Sequence, residues 1–197
     1  GTVADSTSTW TEICGSSYIN LSADQTYAGV SDALYLDVTS NSAAAYLSDE
    51  SVWFSASQSG QIYFEVAPTE DNDAIVVNLF DHIVFGWGDD SYYNGGYPGF
   101  YTNDYSACAS WYTTSTSTTL SSEYIEMSWD AWNSVLIEWT SSEISATVTN
   151  ADGDSVTVTT TNTAGSSVAP LGLGVTYMDG GTYFANIKYA GNVGAPS

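Results

Sequence analysis

Alternation with a period of two residues constrains this chain more than any other feature. Ile62, Phe64 and Val66 fall on one side of an extended segment, and Gln61, Tyr63 and Glu65 on the other. Val135, Ile137 and Trp139 repeat the pattern, as do Val156 and Val158 among threonines. Further strands are predicted at Leu34–Val38, Val52–Ala56, Ala74–Leu79, His82–Trp87, Tyr124–Trp129, Ile144–Thr149, Gly172–Tyr177 and Tyr183–Tyr189. Asn150–Asp154 reads as a hairpin turn, because Asn, Asp and Gly tolerate turn conformations. Helical spacing is scarce, with one turn of helix expected at Ser42–Leu47. About eleven or twelve strands without βαβ alternation predict an all-β fold, an antiparallel two-sheet β-sandwich. The Trp-rich strands Tyr124–Trp129 and Val135–Trp139 are expected to place their rings between the sheets. Residues 1–190 read as one domain, and 191–197 as a linker to a missing downstream region.

Charge excludes several partners. The 197 residues hold 23 acidic side chains and one base, Lys188, for a formal net charge of −22. A body of that sign repels nucleic-acid phosphate and anionic membrane surfaces. No apolar run reaches membrane-spanning length. Only 12% of the residues are charged, while Ser and Thr make up about a quarter, a mixture expected of a secreted or wall-associated domain. Asn20-Leu21-Ser22 is an N-glycosylation acceptor pattern. Cys14 and Cys108 are not spaced for zinc. As a disulfide they would close a loop of about 94 residues and contribute roughly 4–5 kcal/mol. The alternative is two separate buried thiols.

Enzymatic chemistry finds little support in the residues. His82 is the single histidine, it sits in an apolar run, and no Gly-x-Ser-x-Gly elbow accompanies it. A retaining glycosidase needs two carboxyls about 5–5.5 Å apart. Glu123 and Glu126 would point to opposite faces of a regular strand, so either must pair with Glu138 or Glu65. Calcium is a second option, because loops at Asp71–Asp73, Asp89–Asp90 and Asp152–Asp154 offer hard oxygen ligands, with Asp89 and Asp90 the favoured metal pair.

The stretch Gly88–Thr119 breaks the strand pattern and is expected to be irregular. Tyr92, Tyr93, Tyr97, Phe100, Tyr101, Tyr105, Trp111 and Tyr112 crowd into it. Exposed rings stack on sugar faces or on partner rings, and the contrary reading folds them into a small core beneath the loop.

Asn72-Asp73-Ala74-Ile75-Val76-Val77 and Asp81-His82-Ile83-Val84-Phe85-Gly86-Trp87-Gly88-Asp89-Asp90-Ser91 together resemble the farnesoic acid O-methyltransferase-like domain. Trp132–Trp139 with Ile144 is similar to its tryptophan strand and return strand, and Gly172–Val175 with Gly181–Phe184 to its closing pair. The resemblance spans residues 60–189 and implies a laminin-G-like or concanavalin-like jelly roll found in secreted and surface proteins. The methyltransferase name is not carried over, since no Gly-rich loop or helix is present to hold a methyl donor. Phe85 replaces a glycine of the family pattern, and Tyr92 and Tyr93 follow the serine where the family has a base.

These readings converge on a non-enzymatic adhesion domain of a fungal or yeast wall protein, secreted or on the cell surface. Its expected ligand-binding residues are Trp87, Asp89, Asp90, Tyr92, Tyr93, Tyr97, Tyr101, Tyr105 and Trp111, with Ca²⁺ as the one cofactor considered. The partner is a glycan or a surface protein, with a second copy of the domain as the homotypic alternative. A secreted glycoside hydrolase acting on a plant or fungal polysaccharide is the enzymatic alternative.

Overall fold

The computed structural model of the chain describes residues 10–14, 19–38, 45–69, 74–80, 82–88, 96–102, 117–176, 181–191 and 193. Fourteen strands lie among them: β1 (Trp10–Cys14), β2 (Ile19–Tyr27), β3 (Val30–Val38), β4 (Ala45–Ser55), β5 (Gly60–Pro68), β6 (Ala74–Leu79), β7 (Ile83–Gly88), β8 (Gly99–Thr102), β9 (Ser117–Leu120), β10 (Asn133–Trp139), β11 (Glu143–Thr149), β12 (Ser155–Thr161), β13 (Val168–Thr176) and β14 (Gly181–Ala190). They form two seven-stranded antiparallel sheets, in the orders β1-β4-β13-β6-β7-β8-β9 and β12-β11-β10-β5-β14-β3-β2. The all-β, two-sheet architecture is therefore the one that the alternation implies.

Period-2 burial is clearest in the second sheet, where Val135, Ile137 and Trp139 of β10 face inward with Ile144, Ala146 and Val148 of β11. Strands β6 and β7 differ: every residue of both is buried, which matches their near-continuous apolar sequences. Ile75, Val77, Phe85 and Trp87 enter the core between the sheets, alongside Phe54, Phe64, Trp139 and Phe184. The Trp139 ring meets Phe54 and Phe80 edge-on, with centroids 5.2 and 5.3 Å away, and its indole N–H donates to Ser55 O. That ring also lies directly over Gly60, where any Cβ would collide with it.

Four sequence expectations need correction. Ala45–Leu47, expected in a helical turn, belong to β4, because pairing with β13 outweighs the local helix preference of alanine. Within the stretch 88–119, expected to be irregular, the described residues include β8 and the first three residues of β9, which extend the first sheet beyond β7. Tyr124–Trp129 joins no ladder, although its burial alternates with Ile125 and Met127 inside and Tyr124 and Glu126 outside. Trp139 does lie between the sheets, but Trp129 does not; it is 51% exposed. The physical reason is the next residue, Asp130, which takes a left-handed φ of 52° and turns the chain toward β10.

The N-glycosylation pattern places Asn20 in β2, opposite Asp37 of β3. The Cys14–Cys108 bridge lies outside the described residues, since Cys108 is not among them. Past β14, the backbone N–H of Val193 donates to Trp53 O at 2.8 Å. No helix among the described residues is long and apolar enough to cross a membrane.

Candidate functional site

The segment 121–132 links the edge strand β9 to β10, and its backbone groups must be satisfied without a ladder. Four anchors do this. Ser121 N–H donates to Pro98 O and Ile125 N–H to Gly96 O, both at 3.0 Å. From the core, the buried Trp87 indole donates to Ile125 O at 2.7 Å. At the far end, buried Asn133 accepts from Ser128 N–H at 2.8 Å while its amide N–H groups donate to Ser128 O (2.7 Å), Ala131 O (3.1 Å) and Val66 O (3.2 Å). Asn133 thus replaces the ladder partner that this turn lacks. Asp130 N–H completes the tie by donating to Pro68 O at 2.7 Å.

With its inner residues fixed, the segment turns Glu123, Tyr124, Glu126 and Trp129 outward. They face the β11–β12 hairpin across a cleft of about 780 Å³, which Asp152, Asp154, Asn150 and Ala151 close from the other side. Ser128 Oγ accepts from Ala151 N–H and joins the two walls. The hairpin itself is the turn expected from the sequence: Asn150 Oδ1 accepts from Asp152 N–H and Asp154 N–H at 3.1 and 3.0 Å, and Gly153 supplies the left-handed residue.

Two large exposed rings border this cleft, Trp129 and Tyr124, the latter 46% exposed. Tyr97 meets Tyr124 edge-on with a centroid separation of 5.6 Å. Gly96 allows this approach, because its φ is 77° and a Cβ there would strike the Tyr124 ring. Four carboxylates and no base line the cleft. Lys188 is elsewhere, in β14, with its ammonium 6.0 Å from the Tyr63 ring. Such a surface disfavours phosphate, sulfate and uronate groups and accepts neutral or cationic ones.

The expected ligand-binding residues divide accordingly. Tyr97 stands exposed beside the cleft. Trp87 is a correction: its ring is fully buried, because β7 is a central strand, and it acts from beneath by holding Ile125. Phe100, a ring of the same stretch though not an expected ligand residue, is buried likewise, packed on Phe85 with centroids 5.4 Å apart. Tyr101 is half-buried in β8, and burial pushes its phenol well above the ordinary value. Asp89, Asp90, Tyr92, Tyr93, Tyr105 and Trp111 lie outside the described residues. Among the described residues, no group of three or more acidic, His or Cys side chains is arranged to hold a metal.

The carboxylate pair envisaged for a glycosidase is not formed with Glu65 or Glu138. Both are strand residues whose side chains turn away from the core, and neither lines the cleft. Glu65 is engaged instead with Tyr63 and Asn186. Sequence reasoning missed Trp129 and Tyr124 as surface rings because it assigned them to a strand. The available signal was Trp129-Asp130-Ala131-Trp132, where a three-residue tryptophan spacing interrupts the period of two.

A second aromatic group lies on the outer side of the second sheet. Tyr27 stacks on Tyr183 with centroids 4.2 Å apart, Tyr35 lies against Tyr183 at 4.5 Å, and Trp132 meets Tyr27 edge-on at 6.1 Å. Tyr27 OH donates to Asp130 Oδ1 at 2.8 Å. Burial, followed by that hydrogen bond and the nearby carboxylate charge, pushes the Tyr27 phenol up to about 12. These rings are half-buried and brace the turn at Asp130 from behind.

Among solved structures, the chain is similar to the carbohydrate-binding module CBM66 from Bacillus subtilis, with 12% identity, a TM-score of 0.57, and 92% of this chain and 94% of that one covered. It is also similar to a Bacillus subtilis protein with a galectin-like fold, at 8% identity and TM-score 0.59, covering 96% and 93%. A third is the exoplasmic/lumenal domain of VIP36 in a form bound to Ca²⁺ and Man3GlcNAc, at 8% identity and TM-score 0.52, covering 100% and 90%. These likenesses assign the fold, a galectin-like or legume-lectin-like β-sandwich. No family model matches the chain, and no curated protein sequence does.

Proposed function

We propose that this chain is a non-enzymatic glycan-binding domain of the cell surface or secretory pathway, with its binding site in the cleft between segment 121–132 and the β11–β12 hairpin. The observation that carries this reading is the pair of rings, Trp129 and Tyr124, held exposed beside a polar cleft by a buried hydrogen-bond scaffold. Rings in that position stack on the apolar face of a pyranose, while carboxylates accept hydrogen bonds from its hydroxyls. The lining charge selects neutral or amino-bearing sugars over uronates and sulfated sugars. The carbohydrate-binding neighbours CBM66 and VIP36 support a glycan partner and an extracellular or lumenal setting.

Finer readings extend this one. Adhesion at a cell wall follows if the glycan is a wall polysaccharide. A Ca²⁺-dependent contact through Asp89 and Asp90, which lie outside the described residues, is a separate reading to which the Ca²⁺-bound VIP36 form lends support. The farnesoic acid O-methyltransferase-like resemblance remains the family reading, its Gly-Trp-Gly element coinciding with the central strand β7.

A glycan array probed at pH 5 and 7, with and without chelator, tests the function. Neutral or amino-sugar glycans should bind, and Trp129→Ala should weaken the signal about tenfold or more. Binding led by sulfated or uronate glycans, or no binding at any condition, overturns the reading. Loss of binding in chelator alone assigns the cation; unchanged binding removes it.

A further inference from the structure

Each sheet has two edges, and edges with open backbone groups pair with other strands unless something blocks them. Among the described residues, two of the four carry a block. β1 contains Glu12 and a register shift between Glu12 and Cys14. β9 is described over Ser117–Leu120. β2 contains Asp24 and two register shifts, between Ser22 and Gln25 and between Gln25 and Tyr27.

β12 carries none. Its seven residues pair with β11 in unbroken register from Ser155↔Thr149 to Thr161↔Glu143. From Ser155 to Thr163 the sequence Ser-Val-Thr-Val-Thr-Thr-Thr-Asn-Thr holds no charge and no proline, in a chain of net charge −22. Most of these residues are β-branched, the type that best fits a pleated surface.

The ladder shows which backbone groups face outward. Asn150 N–H donates to Asp154 O at one end of the β11–β12 pair, and Asn162 N–H donates to Ser142 O at the other. Hydrogen-bonded and non-hydrogen-bonded pairs alternate in an antiparallel ladder, so even-numbered residues of β12 bond to β11. Ser155, Thr157, Thr159 and Thr161 therefore direct their N–H and C=O groups away from the sheet, and all four are exposed.

We propose that β12 is a self-pairing strand, through which a second copy of this chain docks across a two-fold axis and joins the two second sheets into one. The register that uses every open group sets Ser155 against Thr161 and Thr157 against Thr159, with Val158 on the axis. It forms about eight backbone hydrogen bonds. Threonine meets threonine on the outer face, a favourable cross-strand pair, and Asp154 of each copy falls opposite Asn162 of the other rather than opposite a like charge. The two Asp154 side chains end up about 26 Å apart by strand rise, well beyond the screening length at physiological salt. The remaining acidic surface opposes approach, so pairing strengthens as salt rises.

Sedimentation velocity on the full chain tests this. At pH 7 the wild type should show a monomer–dimer equilibrium whose dimer fraction rises with protein and salt concentration. Thr159→Pro removes an outward N–H and no bond to β11, and should weaken the dimer at least tenfold. Thr157→Glu places a charge beside the axis and should do the same, which covers the case where the proline variant misfolds. A wild type that stays monomeric at near-millimolar concentration and high salt overturns the proposal, as does a dimer that both folded variants leave intact. Glycan binding is read separately at the cleft, so failure of one reading does not carry over to the other.

Discussion

Asn133→Ala and Asn133→Asp probe the scaffold that positions the cleft. The Asn133 side chain is 98% buried and serves four backbone groups of Ser128, Ala131 and Val66. Three carbonyls around one atom and an N–H at the other leave a single orientation for the amide. Removing it strips partners from all four groups. The turn's groups recover some water, whereas Val66 O has little access, so the cost sums to about 3 kcal/mol. That is a urea midpoint lowered by roughly 1 M or more. Asn133→Asp keeps the acceptor for Ser128 N–H but sets a carboxylate against three carbonyls. Its folded pKa must then rise above the ordinary value of about 3.9. Stability is therefore lost as pH rises above that value, and the variant should be weaker at pH 7 than at pH 4 relative to wild type. Urea titrations followed by tryptophan fluorescence at both pH values measure this. An alanine variant within about 1 kcal/mol of wild type, or an aspartate variant equal to it at pH 7, refutes the assigned role.

Other outcomes follow from the same geometry. Trp129→Ala should leave stability within about 0.5 kcal/mol, because the ring is half exposed, yet weaken glycan binding about tenfold or more in calorimetry. Gly96→Ala should destabilise by roughly 1–3 kcal/mol in thermal unfolding and displace Tyr124, since the site has positive φ and no room for a Cβ. The raised Tyr27 phenol makes a contribution that is complete below pH 10 and lost as pH rises through about 12, so alkaline unfolding should begin in that window. Tyr27→Phe should flatten that part of the stability–pH curve. For the enzymatic alternative, incubation with plant and fungal polysaccharides should release no reducing ends, and release that Glu126→Gln abolishes would reverse this.

The sandwich was legible in the sequence because burial on one face of each strand forces apolar residues into alternation, as in β5, β10 and β12. β1 and β2 were not, since polar residues such as Thr11, Asn20 and Asp24 interrupt any apolar period in them. Tyr124–Trp129 misled for the opposite reason. It alternates because one side faces the core, but its hydrogen bonds go to Gly96, Trp87 and Asn133, partners remote in sequence that alternation cannot reveal. The site shared that fate. Tyr97 was legible as a ring in a Gly- and Tyr-rich stretch, whereas Trp87 looked like a ligand residue because nothing local shows that its strand is central.

The most direct test of the cleft is a titration of the labelled protein with the best array glycan, followed by the indole N–H signals of its tryptophans. The Trp129 signal should shift in proportion to saturation, with Ala151 and Asp152 amides moving alongside it, while the buried Trp87 and Trp139 signals stay in place. Shifts confined to residues remote from the cleft, with Trp129 unmoved at saturation, would contradict the account.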